Sequence, residues 1–181
     1  MRYYTGEVDR YGNKIYAVGV FKDVFEYHKA TQEGENWCWA ACVQMVLHYQ
    51  GLRIEQRDLV RRALGNVVDR PGDSEDIATA AHGWRVNGKT IVAKIGSISE
   101  SDLIDDLAYR YPVIVGLSIP GQNVGHAYVL TAIFFYYDRT GRRIPFEVVL
   151  RDPSPGRVSR TVLSWNNFYS RVHTVVHVYP Q

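Results

Sequence analysis

The sequence has few cysteines, no long apolar run and no large excess of charge of either sign. Only two of its 181 residues are cysteines, Cys38 and Cys42, which excludes the disulfide framework that holds many small secreted domains together. The longest apolar stretches, residues 112–119 and 127–135, are well short of the roughly 18 residues needed to cross a bilayer. We therefore expect a soluble protein with no membrane span.

Charge gives little indication of a partner. Lysine and arginine number 21 against 19 acidic residues, for a formal net charge of +2. A net charge this small gives no indication that the protein binds nucleic acid or an anionic membrane. No basic segment leads into an apolar one after Met1, so no cleavable secretory signal is predicted. We expect the protein in the cytoplasm, or exported as an effector without such a signal.

The length and composition indicate one globular unit. Hydrophobic residues make up 46 % of the chain, enough for a real core, and about 150 residues is a typical domain. No fixed-period repeat or low-complexity linker interrupts the sequence. We expect a single domain over residues 1–181 and a monomer.

Apolar spacing of three and four predicts helices in the first half of the chain. The clearest helix runs over Cys38–Tyr49, just before Gly51. A helix over Ser74–Ala81 has Asp73 or Ser74 as its cap. Two further helices are predicted over residues 54–64 and from Ser101 to Pro112.

The second half is rich in β-branched and aromatic residues, which favour strands. Strands are predicted over residues 113–119, 127–137, 146–151, 158–163 and 173–179, with one earlier strand over residues 14–21. Helices first and strands afterwards predict an α+β fold with helices on one side of an antiparallel sheet. The helical half would span about residues 30–111 and the sheet half about residues 112–181.

Cys38 is the candidate nucleophile. It falls in the first turn of a predicted helix, where free backbone N–H groups and the positive end of the helix dipole favour the thiolate. The same N–H groups can receive the oxyanion of a tetrahedral intermediate, and the side-chain amide of Gln32, six positions upstream, is a candidate second donor. Cys42 lies on the apolar face of the same helix and is expected to pack in the core.

A cysteine nucleophile needs a general base, and histidine titrates in the required range. Of the six histidines, His126 follows a polar loop and begins an apolar strand, where a ring can be both held and exposed. His173 and His177 share one face of the last strand and are expected to be structural or to face solvent.

Asp152 is the candidate for a third catalytic residue, beside Cys38 and His126. The strand that begins at His126 turns at residues 138–141 and returns to Asp152. Antiparallel pairing about this turn places His126 opposite residue 153, one register step from Asp152, and a bulge or a longer loop would absorb the difference. Asp152 can then orient the imidazole and stabilise its charged form.

These residues resemble the papain-like cysteine proteases. The shared features are Gln32 six positions before Cys38, Trp39 after the cysteine, Gly125 before the histidine and the Asp152-Pro153 pair. The resemblance is greatest to the compact bacterial branch, which includes bacteriocin-leader peptidases and effector proteases of plant pathogens. It implies a helical subdomain packed on an antiparallel β subdomain, with the substrate cleft between them.

The sequence departs from the plant and lysosomal branch of that family. His126 lies 88 positions after Cys38, whereas those enzymes separate the two by about 130 residues and carry a different motif around the cysteine. A shorter separation implies small subdomains with few of the loops that shape specificity.

The sequence therefore predicts a cysteine endopeptidase that uses Cys38, His126, Asp152 and Gln32, acts on a peptide or protein substrate, and needs no metal or organic cofactor. Neither nucleic acid nor a membrane is expected as a partner. Two alternatives stay open. A transglutaminase or glutamine deamidase would use the same three residues and the same thioester, and a catalytically inert module would keep only the cleft.

Overall fold

The computed structural model describes all residues from Met1 to Gln181. It consists of nine strands and six helices. In chain order these are β1 (Tyr3–Val8), β2 (Lys14–Gly19), α1 (Lys22–Glu26), α2 (Cys38–Tyr49), α3 (Gln56–Leu64), α4 (Ser74–Ala81), β3 (Arg85–Val86), β4 (Lys89–Ile95), α5 (Glu100–Ala108), β5 (Val113–Leu117), β6 (His126–Tyr137), β7 (Arg143–Arg151), β8 (Arg160–Ser164), α6 (Trp165–Arg171) and β9 (Val172–Pro180).

The strands form one antiparallel sheet in the order β1-β2-β6-β5-β9-β4-β3, and β7 and β8 extend from β6. The strand β6 has 12 residues and pairs with three other strands. Its first half pairs with β5, its second half pairs with β2, and β7 pairs along its other edge. The start of β6 and the end of β7 therefore lie side by side.

The hydrophobic core has two parts, one on each face of the sheet. Ile114 packs with α2, α3 and α4, whereas its neighbours Val113 and Val115 pack with α5 and α6. This alternation is the period of two that a strand buried on both faces requires. The expectation of helices on one side only is therefore wrong, because the apolar faces of α5 and α6 cover the second face.

The helix α2 lies at the centre of the first core. Every residue from Trp39 to Leu47 is buried, which is typical of a helix surrounded by other elements. The helix ends before Gly51, which has a φ of +101° that other residues rarely adopt. Burial on all sides fixes the position of α2, and with it the position of Cys38 at its start.

The strongest sequence signals are confirmed. The helices over Cys38–Tyr49 and Ser74–Ala81 have the predicted bounds, and Asp73 and Asp76 form a capping box at the start of the second. The α3 helix begins at Gln56 rather than at residue 54, and α5 begins at Glu100 with Ser99 as its cap. The five predicted strands of the second half are present with shifted ends.

The α+β class is confirmed, but the order of elements is not. The strands β1, β2 and β4 precede residue 112 and join the same sheet, and α6 interrupts the later strands. The sequence did not predict β1, β3, β4, α1 or α6, which are short or carry few buried residues. The single domain stays a prediction. None of the six helices is long and apolar enough to span a bilayer.

Candidate active site

Cys38 is the first residue of α2 and is partly exposed. The N–H groups in the first turn of a helix have no acceptor within the helix, and no side chain caps this one. They remain available to an anion, and the helix dipole favours negative charge at this end.

The loop before Cys38 is held from outside by Asp69. One carboxylate oxygen of Asp69 accepts the backbone N–H of Glu35 at 3.0 Å, and the other accepts that of Asn36 at 2.8 Å. The ring of Trp37 donates to the backbone oxygen of Val68 at 2.9 Å. The segment before α4 therefore fixes the approach of the chain to Cys38, a role that the sequence did not indicate.

His126 and Asp152 are brought together by the pairing of β6 with β7. His126 is the first residue of β6, and Asp152 follows the last residue of β7. Nε2 of His126 lies 2.8 Å from Oδ1 of Asp152. Both are largely buried, with side chains 14 % and 6 % exposed. The sequence prediction that these two residues meet is confirmed by this contact.

The predicted register is off by one residue. Val129 pairs with Arg151, and the pairing shifts twice further along the strands. Continued from Val129, this register places His126 opposite Ser154 instead of residue 153. Ser154 Oγ lies 3.1 Å from Nε2 of His126, and the Ser154 N–H donates to Oδ1 of Asp152 at 2.8 Å. Ser154 is therefore part of the site, although the sequence analysis did not single it out.

The electrostatics of the site favour a charged imidazole beside a charged carboxylate. Burial lowers the pKa of His126, but its contacts with Asp152 and with Cys38 outweigh burial and raise that pKa to about 9. Burial raises the pKa of Asp152, and the hydrogen bonds from His126 and Ser154 more than compensate, so the net pKa is lowered. At neutral pH His126 therefore carries a proton.

Cys38 and His126 face each other across one cavity of about 280 Å³. The interaction with Cys38 is among the influences that raise the pKa of His126. Since Nε2 is occupied by Asp152 and Ser154, the Nδ1 atom is the ring nitrogen left for the sulfur. The imidazole thus connects a carboxylate on one side with a thiol on the other.

The cavity walls come from both halves of the chain. Trp39, Pro71 and Ile77 lie on the helical side, whereas Gly116 and Ala127 lie on the sheet side. Most of the remaining lining is polar or small: Glu35, Asn36, Gly72, Gln122, Gly125, His173 and Thr174.

His173 is exposed, which agrees with the expectation that it is structural or faces solvent, and it also lines this cavity. A Cβ at Gly125 would lie 2.6 Å from Nε2 of His173, so only glycine fits at the position before His126. No sequence signal marks His173, because its approach depends on how β9 pairs with β5.

Gln32 is close to the site, but its amide is turned into its own loop. Nε2 of Gln32 donates to the backbone oxygens of Gly34 at 2.9 Å and Glu35 at 2.8 Å. Its backbone N–H donates to the carbonyl oxygen of Pro153 at 2.9 Å, which ties the loop to the residue after Asp152. In this arrangement neither amide hydrogen of Gln32 is free to contact an oxyanion.

The remaining sulfur and imidazoles lie outside this constellation. Cys42 is completely buried and burial raises its pKa, as expected for a core thiol. His48 accepts the N–H of Ile54, and His177 contacts Asp106. No group of three or more His, Cys, Asp or Glu side chains is placed to hold a metal ion.

A comparison with known protein families gives one match. A sequence model described as papain-like cysteine protease AvrRpt2 matches residues 21–172. A search of curated proteins gave no match.

Solved structures show the same fold. The peptidase domain of Streptococcus ComA, a bifunctional ABC transporter in a quorum-sensing pathway, is similar with a TM-score of 0.61 at 21 % identity, over 84 % of this chain and 97 % of that one. The peptidase domain of Streptococcus mutans ComA gives a TM-score of 0.50 at 19 % identity, over 85 % of this chain and 100 % of that one. At these identities the likeness concerns the fold alone.

Proposed function

The chain belongs to the papain-like cysteine protease AvrRpt2 family and is a cysteine peptidase, and from this premise we propose that Cys38, His126 and Asp152 are its catalytic triad. The observation that carries the proposal is the 2.8 Å contact of His126 with Asp152, made by an imidazole that also faces Cys38 at an uncapped helix start. The bond cleaved lies within a peptide or protein chain.

Acylation begins with the sulfur of Cys38. The charged imidazole of His126 stabilises the thiolate, which attacks the carbonyl carbon of the scissile bond. The carbonyl π electrons move to the oxygen, and the free N–H groups at the start of α2 bind the resulting oxyanion. His126 then gives its Nδ1 proton to the amide nitrogen as the C–N bond breaks. The amine leaves, and a thioester on Cys38 remains.

Deacylation reverses the role of His126. The now neutral ring takes a proton from water, and the hydroxide adds to the thioester carbon. Collapse of the second tetrahedral intermediate breaks the C–S bond and restores the thiolate beside a protonated imidazole. Asp152 stays ionised throughout and holds the ring in place.

Gln32 acts as the second oxyanion donor in this proposal, as the family resemblance implies. Its loop lies directly before Cys38, and its two donors are held by the carbonyls of Gly34 and Glu35. The donor role therefore requires the amide to turn by rotation about its side-chain bonds when substrate binds, which is consistent with catalytic hydrogen bonds that form only in the complex.

A role as an exported effector rests on the resemblance of the motif spacing to the effector proteases of plant pathogens. A transglutaminase or deamidase remains the second candidate, because its first half-reaction yields the same thioester and releases ammonia instead of an amine from the peptide backbone.

The proposal is tested by incubating the wild type and the Cys38→Ala and Cys42→Ala variants with a peptide library. New peptide termini are identified by mass spectrometry, and ammonia is measured in parallel. We expect internal cleavage by the wild type and by Cys42→Ala, and none by Cys38→Ala. Ammonia release without new termini would instead identify a transglutaminase or deamidase. If none of the three proteins reacts, the result favours a catalytically inert module.

A further inference from the structure

A second concave surface lies near Asp152, separate from the cavity that Cys38 and His126 line. It is a basin of about 760 Å³ between α1 and the start of β8. We call it the basic basin because four of its eight lining residues are cations and one is acidic. The eight are Lys22, Glu26, Lys29, Thr31, Arg157, Val158, Ser159 and Arg160.

Positive charge is concentrated in the basic basin. Its charged residues sum to a net charge of +3, whereas the whole chain has only +2. Its one carboxylate, Glu26, is already bound to Lys29 and to the buried Arg151, both at 2.6 Å. None of the ion pairs of the molecule involves Lys22, Arg157 or Arg160. Three cations of the basin therefore lack a counter-charge.

The basic basin is continuous with the backbone of the active site. Thr31 precedes Gln32, and the backbone oxygen of Ser159 accepts the N–H of Asp152 at 2.7 Å. Tyr128 gives a second link, because its ring lies edge-on to His126 with centroids 4.7 Å apart. Burial and the charge of Asp152 raise the pKa of Tyr128, and the charges of Arg171 and Arg157 oppose this shift, so Arg157 lies within electrostatic range of Tyr128.

The cavity that Cys38 and His126 line lies between α4 and the strands β5 and β9, and it shares no lining residue with the basic basin. Thr31 of the basin adjoins Gln32, and Ser159 of the basin binds the backbone of Asp152, so the basin borders two segments that carry residues of the candidate site. The basin is thus placed to contact residues that flank the scissile bond, several positions away from it.

We propose that the basic basin binds an acidic stretch of the substrate that flanks the cleaved bond, a proposal that rests on the peptidase function above. Carboxylates are the fitting partners, because Arg157 and Arg160 offer planar, unpaired guanidinium groups that bind them in bidentate geometry. Exposed contacts of this kind add modest affinity and steer an acidic chain towards the site, and both effects weaken with salt.

The test measures binding by Cys38→Ala protein, so that it does not depend on turnover. The probe is a fluorescent peptide of alternating Glu and Gly, compared with the same peptide in which Gln replaces Glu. A second background carries Arg157→Glu with Arg160→Glu, and a matched control carries Arg85→Glu with Lys89→Glu, which makes the same change of charge at exposed positions of β3 and β4. Circular dichroism checks that each variant is folded.

We expect the Glu peptide to bind more tightly than the Gln peptide at low ionic strength, with the difference lost at high salt. The basin variant should weaken binding of the Glu peptide by about tenfold, since it replaces two attractive contacts by two repulsive ones. The control pair should weaken it by less than about threefold. Equal binding of both peptides, equal losses in both variants, or full competition by inorganic phosphate would overturn the proposal.

Cleavage assays separate this proposal from the peptidase function itself. In the wild-type background, the reversal of Arg157 and Arg160 should lower kcat/KM for substrates with acidic flanks and leave neutral substrates unchanged. If both kinds of substrate are cleaved equally well by the two proteins, the acidic preference is wrong and the peptidase function stands. If the wild type cleaves neither kind of substrate, the peptidase proposal is wrong. The binding experiment still shows whether the basic basin binds an acidic peptide.

Discussion

The structure contains two imidazole–carboxylate pairs, and only one of them belongs to the candidate active site. His126 contacts Asp152 at 2.8 Å, and His177 contacts Asp106 at 2.5 Å. Both imidazoles are exposed to the same extent, 14 %. A close contact between histidine and an acid therefore does not by itself identify the reactive site.

The difference lies in the second nitrogen of each ring. In the first pair, Nε2 binds the carboxylate and Nδ1 remains for Cys38. In the second pair, Nδ1 binds Asp106 and Nε2 presses against Gly96, where a Cβ could not be accommodated. The His126 ring has a sulfur beside its second nitrogen, whereas the His177 ring has the backbone of Gly96 there. A free ring nitrogen beside a sulfur therefore distinguishes the candidate catalytic pair from the other one.

The largest contrast is expected from removing each imidazole. His126→Ala should lower kcat for peptide cleavage by a factor on the order of 10⁴ or more, because no group remains to protonate the leaving amine. His177→Ala should leave kcat within about twofold. Steady-state kinetics on a cleaved library peptide give both values, and a comparable loss in the two variants would contradict the distinction.

Replacing the carboxylates should show the same contrast between the two pairs, with a smaller effect on kcat. Asp152→Asn should lower kcat by on the order of 10² to 10⁴, since the ring loses its orientation and the stabilisation of its charge. The pKa of His126 should fall below the value of about 9, because the bond to Asp152 is the largest of the influences that raise it. NMR titration of the imidazole provides this readout. Asp106→Asn serves as the control, and a His126 titration unchanged by Asp152→Asn would refute the assigned cause.

The dependence of stability on pH offers a third contrast. The pKa of His126 is raised to about 9 in the folded protein, against about 6.5 in an unfolded chain. Its contribution to the free energy of unfolding is therefore fully present below pH about 6.5 and is lost as the pH rises through about 9, on the order of 3 kcal/mol in all. Urea unfolding of the wild type and of His126→Gln across this range isolates the contribution. If the free energies of unfolding of the two proteins change with pH in parallel, His126 makes no such contribution.

Two glycines allow the surroundings of the pairs to be compared. A Cβ at Gly125 would lie 2.6 Å from Nε2 of His173 and 2.8 Å from the oxygen of Leu117, and a Cβ at Gly96 would collide with His177. Gly125→Ala and Gly96→Ala should each destabilise the fold by about 1–3 kcal/mol through overpacking. Only Gly125→Ala should also lower kcat, because it displaces the residue before His126. Thermal unfolding and kinetics on the same samples distinguish the two; equal kcat losses would count against this view.

The smallest effect is expected at Ser154. Its Oγ lies 3.1 Å from Nε2 of His126, and Ser154→Ala removes that contact while keeping the backbone N–H that binds Asp152. A single hydrogen bond contributes about 0.5–1.5 kcal/mol, so kcat should fall by about two- to tenfold. A loss as large as that of Asp152→Asn would assign Ser154 a more direct part in the chemistry.

The sequence predicted those parts of the molecule that local signals determine. The spacing of apolar residues marks Cys38–Tyr49, and the cap at Asp73 marks Ser74–Ala81, so both helices have their predicted bounds. The convergence of His126 and Asp152 also followed from the chain, because a single hairpin joins them. Strand β4 was missed because its burial alternates poorly, and β9, its partner, lies far along the chain.

The remaining parts of the site depend on contacts that the local sequence does not encode. Two irregularities in the pairing of β6 with β7 shift the register and bring Ser154 to the imidazole. Asp69 holds the loop before Cys38 from 33 positions away or more. His173 reaches the cavity only because β9 pairs with β5. Long-range pairing determines each of these placements.

Activation of the Cys38 sulfur by His126 is central to the proposed function, and the rate of alkylation by iodoacetamide at neutral pH measures this activation directly. Mass spectrometry assigns the label to Cys38 or to Cys42, which is buried and should react only on unfolding. We predict rapid labelling of Cys38 in the wild type and in His177→Ala, and a loss of about tenfold or more in His126→Ala. Equal rates in all three proteins, or faster labelling of Cys42, would contradict the account.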